Sequence, residues 1–129
     1  MDKLINIAAR LLMAQIFIIS GFSKISGYSG TQGYMEQMGV PGILLPLVIL
    51  TELGGGLALL FGFKTRVVVF ALAGFTVLSA LLFHASFADQ MQLINFMKNL
   101  AMAGGLLLFV RHCAGQPSID EGRLLQRHA

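Results

Sequence analysis

The chain has 129 residues, 56% hydrophobic and 12% charged, with a formal net charge of +3. Soluble domains carry roughly a quarter charged residues, so this composition excludes an ordinary water-soluble fold and indicates an integral membrane protein of a few helices. The nine Lys and Arg are scattered without a basic run or aromatic platform, which argues against nucleic acid as a partner, and the single cysteine excludes an intrachain disulfide or dithiol relay.

In chain order, four apolar stretches read as membrane spans: 4–25, 43–62, 67–84 and 93–110. Each approaches the ~20 residues that cross a 30 Å hydrocarbon core as helix. The first follows Lys3, but its apolar run is longer than a signal-peptide core and "SGFSKISG" offers no small-x-small cleavage site. It is expected to be a retained span.

Between the first two spans, Ser29 and Gln32 have the spacing of a capping box, Gly39 suits a helix end and Pro41 blocks continuation. A short interfacial helix is expected over about 30–38, with Tyr28 and Tyr34 as aromatic anchors. In the tail, 111–129, Ser118 and Glu121 suggest a second cap before Ile119, Leu124 and Leu125. The expected architecture is a single all-α domain over 1–129, a four-transmembrane-helix bundle with one interfacial helix.

Four spans place both termini and the loop after Gly62 on one side. That side holds Lys3, Arg10, Lys64, Arg66, Arg111, Arg123 and Arg127, whereas the other holds Lys24 and Lys98 with Glu36 and Asp89. The positive-inside rule then predicts cytoplasmic termini in a multi-pass plasma-membrane protein.

Ionisable residues at membrane depth usually face the bundle interior or a cavity. In the fourth span Gln92, Asn95, Lys98, Asn99 and Met102 recur at steps of three and four, and Ala101 with Gly105 forms a small-xxx-small pair. That polar face is expected to point inward, and Lys98 to pair with Glu52 of the second span. Gly54, Ala58 and Gly62 suggest a groove for close helix approach. On the first span Arg10, Ala14, Phe17, Gly21 and Lys24 share a face, and on the third Thr76, Ala80 and His84 align.

The half of the bundle away from the termini should therefore gather Lys24, Glu52, His84, Lys98 and Asn99. Three potentially cationic groups against one carboxylate suit a small anion or a polarised quinone carbonyl. Glu52, His84 and Lys98 are the candidates for catalytic work, since His and Glu handle protons. One His, one carboxylate and a distant Cys113 do not make a metal-ligand set. The glycines at 54–56 and 104–105 belong to helix packing, not to a phosphate loop.

These segments, "ARLLMAQIFIISGFSKISGYSGTQGYMEQMGVPG", "TELGGGLALLFGFKTR", "FH", "NFMKNLAMAGGLLLF" and "SID", resemble the DoxX family of bacterial inner-membrane proteins. The matching positions are Arg10, Gly21, Lys24, Glu52, Gly62, Thr65, Arg66, His84, Phe96, Lys98 and Asn99, so the resemblance spans nearly the whole chain. It implies a four-helix bundle with cytoplasmic termini. Some members are similar to the small subunit of an archaeal thiosulfate:quinone oxidoreductase and others associate with redox-defence enzymes, whereas many have no assigned activity.

Three readings follow. The first is a redox-linked subunit that binds a quinone or an oxyanion and, lacking a redox centre of its own, works with a partner subunit. The second is a small transporter or proton-relay component acting as a homo-oligomer in the bilayer. The third is a non-catalytic scaffold whose buried charges fix helix packing.

Overall fold

The computed structural model describes residues 2–84, 86–113, 118–120 and 122. Four helices are long and apolar enough to cross a membrane: α1 (Asp2–Ser26), α3 (Gly42–Phe61), α4 (Thr65–Phe83) and α5 (Gln90–His112). A shorter α2 (Tyr28–Gln37) joins α1 to α3, and no strand occurs among the described residues. The fold class and the span count thus agree with the sequence. The core is a slim seam of Ala14, Phe17, Leu59, Val69, Leu72, Ala73 and Leu106. Large side chains such as Leu4, Ile43, Val67 and Phe70 instead stand exposed on the outer faces. In water that distribution would be ruinous, whereas lipid accommodates it without cost.

Two helix ends are closed by left-handed glycines. Gly39 has φ +82°, and the N–H groups of Gly39 and Val40 donate to the carbonyls of Glu36 and Met35 at 3.1 and 2.8 Å. Gly62 has φ +70°, and the N–H groups of Gly62 and Phe63 reach Leu59 and Ala58 at 3.1 and 2.8 Å. Both are Schellman closures, which satisfy the orphan carbonyls of the last turn.

The start of α2 departs from the expected capping box. The helix begins two residues earlier, after Gly27, and no side chain caps it. Gln32 instead donates to the Gly42 carbonyl at 3.2 Å, so its amide ties α2 to the first turn of α3. There a Cβ on Gly42 would meet Gln32 Cγ and Glu36 Oε1 at 2.7 Å, so this close packing supersedes the local cap. Tyr34 does not anchor alone, because it stacks on Phe83 with ring centroids 5.7 Å apart.

Close helix contact also falls elsewhere than the Gly54–Ala58–Gly62 stripe. A Cβ on Gly54 would meet nothing nearer than 3.8 Å, and Gly54 is exposed. The tight crossings involve Gly21, whose added Cβ would lie 2.9 Å from the Leu53 backbone nitrogen, and Gly56, 3.1 Å from that of Ile18. Spacing identifies which glycines stack along a helix, but not the direction in which that face points.

At the loop end the chain is stapled by a residue near the C-terminus. Lys64 adopts φ +45° before α4, and its N–H and that of Thr65 donate to the Asp120 carboxylate at 2.7 and 2.8 Å. The Asp120 N–H in turn donates to the Gly62 carbonyl at 2.9 Å. A carboxylate at the positive end of α4 thus satisfies donors that have no partner within the helix. Arg66 Nε adds a bond to the Val110 carbonyl at 3.0 Å. Asp120→Ala should therefore lower stability by about 1–2 kcal/mol, the usual cost of a lost cap, measurable as a reduced thermal midpoint in detergent. Asp120→Asn should recover part of that loss. Glu121, Leu124 and Leu125, on which the expected tail cap and its apolar face depend, lie outside the described residues.

Candidate functional site

Within α3 the backbone widens into one π-helical turn, Leu50–Gly54, with Glu52 at its centre. Such turns are rare and often mark functional positions, because the extra residue re-aims the side chains around it. Here Glu52 is turned inward and is 4% exposed. Its Oε1 lies 2.6 Å from Lys24 Nζ of α1, and the same ammonium donates to Ser20 Oγ at 2.6 Å. The Gly21–Leu53 crossing brings the two backbones close enough for this reach.

Lys24, not Lys98, is therefore the partner of Glu52. Lys98 stands on the exposed face of α5 and is absent from the cavity wall, so the expected Glu52–Lys98 pair does not form. The polar stripe of α5 is real but narrower than its spacing suggests: Gln92, Asn95 and Asn99 are half-buried. Lys98 lies one residue, about 100° of rotation, from Asn99. Its long stem suits a lipid-facing position from which the ammonium reaches the aqueous edge.

The remaining candidates converge. Lys24, Glu52, His84 and Asn99 all line a cavity of about 270 Å³, with Ser20, Thr31, Tyr34 and Thr76 as further polar neighbours. Phe17, Phe75, Phe83, Met35 and Met102 supply its apolar walls. Asn99 Nδ2 donates to the Thr76 carbonyl at 3.3 Å, while the Thr76 hydroxyl donates back to the Leu72 carbonyl at 2.7 Å. His84 Nδ1 lies 2.8 Å from Gln92 Oε1, a contact in which the ring N–H donates to the amide oxygen.

Sequence reasoning missed Ser20, Thr31 and Ser79, and took Tyr34 for an interfacial anchor and not a wall residue. Ser20 lies one helical turn before Lys24, a spacing that could have indicated it. Thr31 and Tyr34 reach the wall only because α2 folds back over the end of the bundle, which spacing does not disclose.

This geometry also revises the charge balance. Lys24 is paired with Glu52 and Lys98 is elsewhere, so the expected excess of cationic groups is reduced to His84. The cavity offers hydrogen-bond donors, acceptors and aromatic walls around an internally compensated pair. That lining suits a neutral, polar, flat group better than an anion.

Comparison with known proteins agrees with this architecture. The DoxX family model matches residues 5–85. The chain is 55% identical over 121 residues to the inner membrane protein YqjF of Escherichia coli K12, covering 94% of this chain and 92% of that protein. It is 33% identical over 119 residues to the inner membrane protein YphA of the same organism, covering 87% and 85%. A shorter similarity, 34% over 59 residues, covers 46% of this chain and 44% of a Bacillus subtilis 168 protein named "Putative oxidoreductase CatD". No solved structure matches the chain. With four spanning helices, a family match over most of its length and inner-membrane relatives aligned nearly end to end, the chain belongs to the DoxX family and is a multi-pass inner-membrane protein.

Proposed function

We propose that this protein is a redox-linked membrane subunit whose cavity receives the head group of a quinone. The observation that carries the reading is the compensated Lys24–Glu52 pair on the wall of an aromatic-lined cavity. A quinone ring carries two carbonyl acceptors and no charge. Lys24 and Asn99 would donate to those oxygens, Phe17 and Phe75 would flank the ring, and Glu52 and His84 would exchange protons. Reduction to the quinol takes two electrons and two protons; the electrons would come from a redox partner protein. The similarity to a protein named as an oxidoreductase supports the same reading, over less than half of the chain.

In this proposal α2 lies at the outer water interface and both termini are cytoplasmic, an orientation that the Lys and Arg asymmetry supports. In a Cys113→Ser background, Asp89→Cys should be labelled by an impermeant thiol reagent added to intact cells, and Lys64→Cys should not. The reverse pattern would overturn the orientation.

Binding is tested by titrating the purified protein with a water-soluble benzoquinone. Lys24→Ala and Asn99→Ala should each weaken binding at least tenfold, and Lys98→Ala should leave it unchanged. Undiminished binding in Lys24→Ala would defeat the proposal.

A second reading has its own support: the pair also pins α1 to α3, with Ser20 completing the coordination of the ammonium. As a scaffold lock it would tolerate replacement of both charges by apolar residues with no loss of cellular function.

A further inference from the structure

The cavity has a continuation. α1 and α5 touch at few places along their length, and between them runs a groove of about 680 Å³. Ile16 and Met102 line both the groove and the cavity, so the two spaces adjoin across these two flexible side chains. From Ile16 the groove extends along α1 to Ile5, eleven residues or about 16 Å at 1.5 Å per residue. Its walls are mostly apolar, with Ala9 and Leu12 of α1 facing Leu108 and Phe109 of α5, and Asn6, Gln15 and His112 as polar members. A Cβ on Gly105 would lie 2.5 Å from Met13 Cε, so the flexible Met13 side chain packs over this glycine and a larger residue there would push it into the groove.

The opposite end of the cavity is covered. Thr31, Tyr34 and Met35 of α2 form part of its wall. Tyr34 is stacked on Phe83, and Gln32 fixes α2 to the start of α3.

Resting on the quinone reading above, we infer that the ligand enters sideways from the bilayer between α1 and α5 and leaves its tail in this groove. The cavity takes the polar ring and the groove takes the hydrocarbon chain. The substrate is accordingly a long-tailed, membrane-borne quinone and not a short soluble one. A polar chamber adjoining a long, mostly apolar trough, with only Ile16 and Met102 common to both walls, fits an amphiphile, in which both parts are covalently joined. A helix from a second copy would cover the trough but leave its junction with the chamber unused.

The test compares a benzoquinone carrying a decyl tail with the same ring lacking the tail, both titrated into full-length protein in lipid nanodiscs. The tailed compound should bind at least tenfold tighter. Ala9→Phe and Gly105→Leu, which fill the groove, should each remove that advantage while leaving the tail-less affinity unchanged. Leu11→Phe, on the exposed face of α1, should keep it. Retention of normal circular dichroism and elution by the groove variants secures the comparison.

If both groove variants keep the full tail advantage while Asn99→Ala, folded as wild type, weakens binding of both compounds, the groove inference fails and the cavity reading stands. If the wild-type protein binds neither compound, the cavity reading fails and the inference falls with it. If Ala9→Phe converts a dimer to a monomer and leaves both affinities unchanged, the groove belongs to a second copy and the inference is overturned.

Discussion

Lys24→Met alone should be among the most damaging single substitutions in the protein, and adding Glu52→Leu should repair most of the harm to folding. Removing one member of a buried ion pair strands the other in a low-dielectric interior, a loss of about 3–5 kcal/mol in soluble proteins. Glu52 is 6% exposed at its side chain and Lys24 25%, so the carboxylate is the more costly group to strand. The thermal midpoint of Lys24→Met in detergent should fall well below that of wild type. The double variant should return close to wild type, because two apolar side chains of similar volume replace both charges at once. Quinone binding should be lost in single and double variants alike. This split between recovered stability and unrecovered binding separates a working site from a lock: a double variant that regained cellular function as well as stability would establish the scaffold reading.

The second large effect is expected at Gly21. An added Cβ would sit 2.9 Å from the Leu53 nitrogen, 3.0 Å from its Cβ and 3.2 Å from its Cα. Two of those atoms are backbone, which cannot swing aside as a flexible side chain does. Gly21→Ala should cost about 1–3 kcal/mol by overpacking, and Gly21→Leu should prevent α1 and α3 from closing. Separation of these helices also draws Lys24 away from Glu52, so Gly21→Ala should weaken quinone binding without touching the ligand. Gly54→Ala is the contrast: it meets only open space and Leu50 at 3.8 Å, and a helix interior favours Ala over Gly by roughly 1 kcal/mol. It should therefore hold or raise stability. Equal damage from Gly21→Ala and Gly54→Ala in paired melting curves would contradict this account of the packing.

Much of the architecture was legible in the sequence because the bilayer imposes its own length on a helix. Four apolar stretches of suitable size admit few other folds. The candidate residues Lys24, Glu52, His84 and Asn99 were legible for a related reason: polar side chains at membrane depth have few places to go except an interior space. Which of them touch was not legible. Lys98 and Asn99 are neighbours on α5, and a helix whose other faces are equally apolar gives no internal sign of which one looks inward. In a soluble protein water would mark the outer face with charge, whereas lipid leaves it unmarked. Asp120 was hidden for a different reason, since its bonds to Lys64 and Thr65 join positions more than fifty residues apart. Helical spacing describes only what lies on a single helix.

The π turn of α3 has a consequence for how that span is geared. One residue more than an α turn requires puts the segments on either side about 100° out of phase. Leu45 sets the facing of the first segment, while Gly56 and Leu59 set that of the second. Glu52 occupies the joint. A span with one residue deleted from Leu50–Gly54 would be as apolar and nearly as long, and would still cross the bilayer. Its halves, however, could no longer both meet their neighbours: seating Gly56 against Ile18 would turn Leu45 away from the interior, and seating Leu45 would turn Gly56 away from α1. Hydrophobicity decides that α3 is in the membrane, and a single surplus residue decides which way each half of it looks.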